Sequence, residues 1–184
     1  MPASFPSPFR PAMTLLCQYA EYHRDRRNIQ THLVGVPMIV FAIGVLLAQP
    51  VFVLGGWVLT PAWVVFGLAA LWYLTRGHLG LGVATTVSVG ALIALAHQVS
   101  TQPTGQWLAW GVGFFVVGWI IQFLGHYYEG RKPAFTDDLV GLLVGPMFVT
   151  LEFLAGLGLF GRVMRRIEAH AGPVVLRNLA HPMA

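Results

Sequence analysis

No aspartate, glutamate, lysine or arginine occurs from Asn28 to Thr75, nor from Gly77 to Tyr128, and Arg76 alone divides the two stretches. The hydrocarbon core of a bilayer is about 30 Å thick and takes roughly 20 apolar residues to cross as a helix. Each stretch is too long for one crossing and suits two, so the chain reads as two helical hairpins in a membrane. A soluble domain would carry about a quarter charged residues; this chain carries 10%, with 56% hydrophobic residues. The rival, a soluble bundle with an apolar core, is disfavoured because soluble helices rarely lack charge on every face.

The hydropathy pattern divides the rest. Met1 to Ala12 holds four prolines and no apolar run, as expected of a disordered leader. Pro11 to Arg27 reads as a short amphipathic helix, with Asn28 as a cap for the next. Spans are expected at about Thr31–Ala48, Trp57–Leu74, Leu79–Ala96 and Gln106–Leu124, with a turn region at Gln49-Pro50 and Gly55-Gly56 and a polar loop from His97 to Gly105. Thr136-Asp137-Asp138 reads as the capped start of another helix. Residues 13–170 form one membrane-embedded domain in this reading, and 171–184 form a tail.

Positive charge orients the bundle. Arg24, Arg26 and Arg27 precede the first span, Arg76 follows the second, and Arg131 and Lys132 follow the fourth. Four spans with a cytoplasmic N-terminus put all of them on one side. A fifth full span over Leu139–Phe160 would send Arg162, Arg165, Arg166 and Arg177 to the other side. A re-entrant hairpin bent at Gly145-Pro146 keeps them together, and broken backbone is tolerable where protein buries it. The expected fold is therefore an all-α polytopic bundle of four spans, a re-entrant helical hairpin and an N-terminal amphipathic helix. The net charge of +4 needs no nucleic acid to explain it. The lone Cys17 excludes an intrachain disulfide and a cysteine-rich metal cluster. Nothing in the sequence fixes an oligomeric state.

Histidines are where chemistry is expected. His23, His32, His78 and His126 fall at the arginine-rich ends of spans, His97 at the opposite ends, and His170 and His181 in the C-terminal region. His23 and His32 are nine residues apart, on opposite faces of an unbroken helix, but a break near Asn28 lets both rings turn inward. His126 and Glu129 share a face if their helix continues. Three imidazoles with a nearby carboxylate suit Fe(II), Zn(II) or Mn(II). A single interfacial histidine more often bonds only to water or a carbonyl, and no compact His-Glu-x-x-His motif is present.

Tyr22-His23, Asn28, His32 and Gly35-Val36-Pro37 form one motif; Gly118-Trp119, Gln122-Phe123, Gly125-His126, Glu129 and Arg131-Lys132-Pro133-Ala134 form a second, continued by Asp137-Asp138-Leu139 and Gly145-Pro146. Together they resemble the 2-hydroxy fatty acid dioxygenase family, over roughly Tyr19 to Leu157. The resemblance implies a multi-span enzyme that uses Fe(II) and O2 to shorten a 2-hydroxy fatty acid by one carbon, a step of fatty acid α-oxidation. It implies His23, His32 and His126 as metal ligands. Glu129 then orients a ligand or is a fourth one, and Arg131 and Lys132 attract the substrate carboxylate, against simpler roles as an ion pair and a topology anchor. Glu152, His78 and His97 are the other candidates for a fourth ligand.

The expected setting is the bacterial inner membrane, suggested by the arginine-, alanine- and glycine-rich composition, with the site facing the cytoplasm; in a eukaryote it is the endoplasmic reticulum. Expected partners are the hydroxy acid, O2 and membrane lipid, with no nucleic acid. Two rival classes remain: a non-catalytic membrane scaffold or carrier, and a metal- or haem-binding protein without oxygenase activity.

Overall fold

The computed structural model describes residues 9–131 and 140–179. Its elements in chain order are α1 (Ala12–Ala20), α2 (Arg26–Leu46), β1 (Phe52–Leu54), β2 (Trp57–Leu59), α3 (Pro61–Leu74), α4 (Leu79–Ser100), α5 (Thr104–Glu129), α6 (Gly141–Gly156) and α7 (Gly161–Ala171). The chain is a helical membrane bundle. Among the described residues, α2, α4 and α5 are long and apolar enough to cross a bilayer. The bent pair α6–α7 makes a fourth if counted as one span.

Helix α2 is the central element, packed against α5 along its length and against α4 and α6. The α2–α5 contact depends on glycines at intervals of seven on α5, two helical turns apart. A Cβ at Gly111 would run into Leu46, one at Gly118 into Ile39, and one at Gly125 into the Thr31 hydroxyl and the Asn28 amide oxygen. Small residues let membrane helices approach closely enough for dispersion contacts to hold them.

The second span is shorter than the hydropathy suggests. Residues 57–59 pair with 52–54 in a two-stranded hairpin instead of extending α3. Gly55 and Gly56 both take positive φ, 58° and 85°, the backbone a type I′ turn requires. The 14 residues of α3 then span only about 21 Å.

The re-entrant bend also lies elsewhere than expected. Helix α6 runs unbroken through Gly145 and Pro146. Pro146 removes one backbone hydrogen bond, but the next residues, Met147, Phe148 and Leu151, are wholly buried and hold the helix. The break falls between Gly156 and Gly161, where α7 turns away by 117°. Helix α7 is amphipathic: Val163 and Ile167 are buried, while Arg162, Arg165 and Arg166 lie on the outside.

Asn28 does not cap α2. Asp25 does, accepting a hydrogen bond from the Arg27 N–H at 2.8 Å. Asn28 is the third residue of the helix and is fully buried. The N-terminus of α2, the C-terminus of α5, α1 and α7 gather at one end of the bundle. The Arg76 carbonyl joins them by accepting from the Ala12 N–H at 2.8 Å. The arginine clusters therefore share one end. The proposed helix start at Thr136-Asp137-Asp138 lies outside the described residues.

Candidate metal centre

Three rings meet at the arginine-rich end. Ring nitrogens of His23, His32 and His126 all lie within 4.8 Å of one another, and all three residues are buried. The ring centroids are 4.5 Å (His23–His32), 5.1 Å (His23–His126) and 5.0 Å (His32–His126) apart.

Local chain geometry delivers each ring. Helix α1 ends at Ala20, and the His23 N–H closes a turn onto the Ala20 carbonyl at 3.0 Å. The His23 ring stacks on Tyr19 at 4.0 Å, almost parallel at 7°. Its Nδ1 bonds to the Tyr19 carbonyl at 2.6 Å. His32 does the same almost two turns into α2, its Nδ1 lying 2.9 Å from the Asn28 carbonyl. His126 comes from the last turn of α5, which ends at Gly130 with positive φ of 67°, a left-handed cap suited to glycine.

A carbonyl accepts only from an N–H, so in His23 and His32 the proton sits on Nδ1 and Nε2 carries a bare lone pair. Those two Nε2 atoms are 3.1 Å apart. Two lone pairs at that distance repel unless a cation lies between them. Imidazole nitrogens about 2.0–2.1 Å from a shared ion, at ligand–metal–ligand angles of about 90–110°, stand about 2.8–3.4 Å apart. The donor set therefore fits a divalent transition metal. Nδ1 of His126 is buried with no partner among the described residues. Burial first, then the adjacent His32 ring, holds His23 well below the ordinary histidine pKa, which favours the neutral form that metal binding would need.

Glu129 ties the centre's backbone together. Its carboxylate accepts from the Arg24 N–H at 3.0 Å, the Asp25 N–H at 2.8 Å and the Asn28 side-chain amide at 2.9 Å. It thus clamps the turn that carries His23 and the residue whose carbonyl holds His32. Asp25 also accepts from Arg27 and from the Arg177 N–H. Burial would raise its carboxyl pKa, but these bonds outweigh that and hold it below the ordinary carboxylate value. Val175 pairs with the chain at Arg24 and Arg26, so residues 173–178 lie across this end of the molecule.

The other candidates lie elsewhere. Arg131 donates to the Glu21 carbonyl at 2.9 Å, on the outside of the turn. Lys132 lies outside the described residues. Glu152 faces Arg24 at 4.0 Å. His78 caps α4, accepting from the Leu81 N–H at 3.2 Å. His97 stacks on Trp63 at 4.9 Å and bonds to Thr60 at 2.9 Å at the far end of the bundle. Among the described residues, no fourth histidine, cysteine or carboxylate joins the triad.

A cavity of about 300 Å³ adjoins the triad, bounded by α2, α5 and the start of α6. His32, His126 and Tyr19 form one end, and Val36, Ile39, Ile43, Phe115 and Trp119 line the rest. Gln122 also lines it, a residue that the expected ligand set did not include.

A family model described as 2-hydroxy-palmitic acid dioxygenase Mpo1-like matches residues 9–157. The 2-hydroxy-palmitic acid dioxygenase MPO1 of Saccharomyces cerevisiae is 34% identical over 165 residues, covering 88% of this chain and 89% of the yeast protein. No solved structure matches. The matched region takes in His23, His32 and His126 and the helices that bring them together, and on this extent of similarity the chain belongs to the Mpo1-like family.

Proposed function

We propose that this protein is an Fe(II)-dependent dioxygenase that converts a 2-hydroxy fatty acid to the acid one carbon shorter. The observation that carries this reading is the pair of unprotonated nitrogens 3.1 Å apart, His23 Nε2 and His32 Nε2, in a triad of which His32 and His126 line one end of an apolar cavity. The 2-hydroxy-palmitic acid named for the yeast relative has the matching parts, a chelating head and a long apolar tail.

His23, His32 and His126 would hold the ion on one side. Iron bound there would supply a centre for O2 activation and for chelation of the substrate through its carboxylate and hydroxyl oxygens. Fixing the head group beside the oxidant turns a chance encounter into an oriented one. The stoichiometry closes without a second organic substrate. The hydroxyl-bearing carbon rises to the carboxylic acid level and the carboxyl carbon leaves as CO2. One O2 accepts the four electrons, and one water forms. The tail would lie along α2 from Val36 to Ile43, out of water; each methylene buried from water contributes about 0.8 kcal/mol, less for a tail arriving from the bilayer.

The protein would keep the remaining groups in place. Glu129 would act through the backbone of the His23 turn and through Asn28, so it is a positioning residue. Arg131 and Lys132 would contribute positive charge at the arginine-rich end. By the positive-inside tendency, that end and the metal centre would face the cytoplasm. Bacterial inner membrane suits the composition. Residues 13–170 would constitute the one catalytic domain.

The test is turnover. Protein purified in detergent is loaded anaerobically with Fe(II), then given O2 and 2-hydroxypalmitate. Mass spectrometry should find pentadecanoic acid with the wild type and none with His126→Ala. Equal product from both proteins would overturn the assigned site, and no product from loaded wild type would overturn the activity.

A further inference from the structure

Among the described residues, Gln122 is the one amide side chain lining the apolar cavity beside the triad. It lies four residues before His126, so the two share a face of α5 one turn apart. It is 5% exposed, and its Nε2 has no hydrogen-bond partner among the described residues. A donor buried without a partner costs stability, and a hydrophobic side chain of similar shape would not. Native structures keep such a group where something else supplies the acceptor.

The packing around it is specific. Gly35 on α2 faces the amide, and a Cβ there would overlap Nε2 while pressing against the Gly118 carbonyl at 3.0 Å. Glycine at 35 therefore leaves room for a polar group where the backbones of α2 and α5 come close. At one end of this pocket are His32 and His126, and beyond it are Val36, Ile39 and Ile43. A ligand with an oxygen-rich head at the histidines and an apolar tail along α2 must pass Gln122 where the one part joins the other.

We propose that Gln122 is a substrate-binding residue whose side-chain N–H donates to a carboxylate or hydroxyl oxygen of the 2-hydroxy acid, and that Gly35 is required to seat that amide. The proposal rests on the function assigned above. It makes head-group affinity depend on a residue outside the metal ligand set, and it gives Gln122 no part in holding the ion.

Binding to zinc-loaded protein tests it without turnover. Zinc has no redox chemistry, so 2-hydroxypalmitate can be titrated at equilibrium and followed by Trp119 fluorescence or calorimetry. Gln122→Met keeps the shape and removes the donor; Gly35→Ala keeps the donor and displaces it. Each should weaken 2-hydroxypalmitate about tenfold or more, the range for a hydrogen bond to a charged group, with the zinc content unchanged. In the iron enzyme the loss should appear in KM more than in kcat. Wild-type affinity in Gln122→Met, or loss of zinc from it, would overturn the proposal alone. Failure of the zinc-loaded wild type to bind 2-hydroxypalmitate would overturn the proposal together with the function beneath it.

Discussion

His23 Nε2 and His32 Nε2 face each other at 3.1 Å, while the opposite nitrogen of each ring is bound to the carbonyl four residues earlier, Tyr19 and Asn28. The same local device, a ring bonded back onto the preceding turn, fixes both tautomers. It requires two helices that end and begin close together, and α1 and α2 meet that need through the five-residue connection from Glu21 to Asp25.

Glu129→Gln keeps the size of the side chain but removes the charge that accepts three hydrogen bonds from Arg24, Asp25 and Asn28. Bonds to a charged group are worth about 1.5–3 kcal/mol each. The expected loss is about 2–4 kcal/mol of stability, because the amide retains some of these contacts. Support groups around metal ligands typically alter affinity about 10–100-fold, so metal should bind more weakly as well. Thermal melting in detergent and a competitive metal titration check both.

Gly125→Ala places a methyl group against Thr31, Asn28 and His32 at once. Overpacking of this kind costs about 1–3 kcal/mol, and here it also pushes apart the helices that carry two of the three rings. The variant should fold with a lower melting temperature and bind metal less tightly. Gly113→Ala on the same helix meets nothing within 4 Å and should behave as wild type in both measurements.

Ile43 lies at the far end of the cavity from His32, eleven residues along α2 or about 16 Å. Ile43 is 37% exposed, so a larger side chain can be accommodated. Ile43→Trp should shorten the usable tail. Each methylene excluded forfeits at most about 0.8 kcal/mol, close to fourfold, so the ratio of kcat/KM for 2-hydroxypalmitate over 2-hydroxylaurate should fall about tenfold or more. Competition between the two acids, read by mass spectrometry, measures that ratio.

Asp25→Ala removes the cap of α2 and the acceptor for the Arg177 N–H. Loss of a cap costs about 0.5–2 kcal/mol. Residues 173–178 should exchange amide hydrogens faster, since Val175 and Arg177 are held largely by this turn. Hydrogen exchange resolved by mass spectrometry should show the change there and little change in α4.

Much of this arrangement is legible in the residues. The charge-free stretches mark the membrane, and the arginines sort the helix ends. The tyrosine–histidine and glycine–histidine motifs single out the three rings that meet. Other features escape because they depend on contacts between distant parts of the chain. Glu129 accepts mainly from backbone N–H groups more than a hundred residues earlier, and backbone donors carry no sequence signal. Asn28 has the composition of a cap yet is recruited by Glu129 into the helix interior. Gly145-Pro146 has the composition of a break, but the burial of Met147 and Phe148 outweighs one lost hydrogen bond. Two signals were available and are easily passed over. Glycines at 111, 118 and 125 keep a period of seven on the face that meets α2, and Gln122 stands in an apolar window one turn from His126.

Metal content tests the central claim most directly. Protein reconstituted anaerobically with Fe(II), desalted and measured by plasma mass spectrometry should hold one iron per chain. His23→Ala, His32→Ala and His126→Ala should each retain almost none, while His97→Ala, which removes the ring stacked on Trp63, should retain the full amount. Iron retained at wild-type level in the three triad variants, or absent from the wild type, would contradict a metal centre built from these imidazoles.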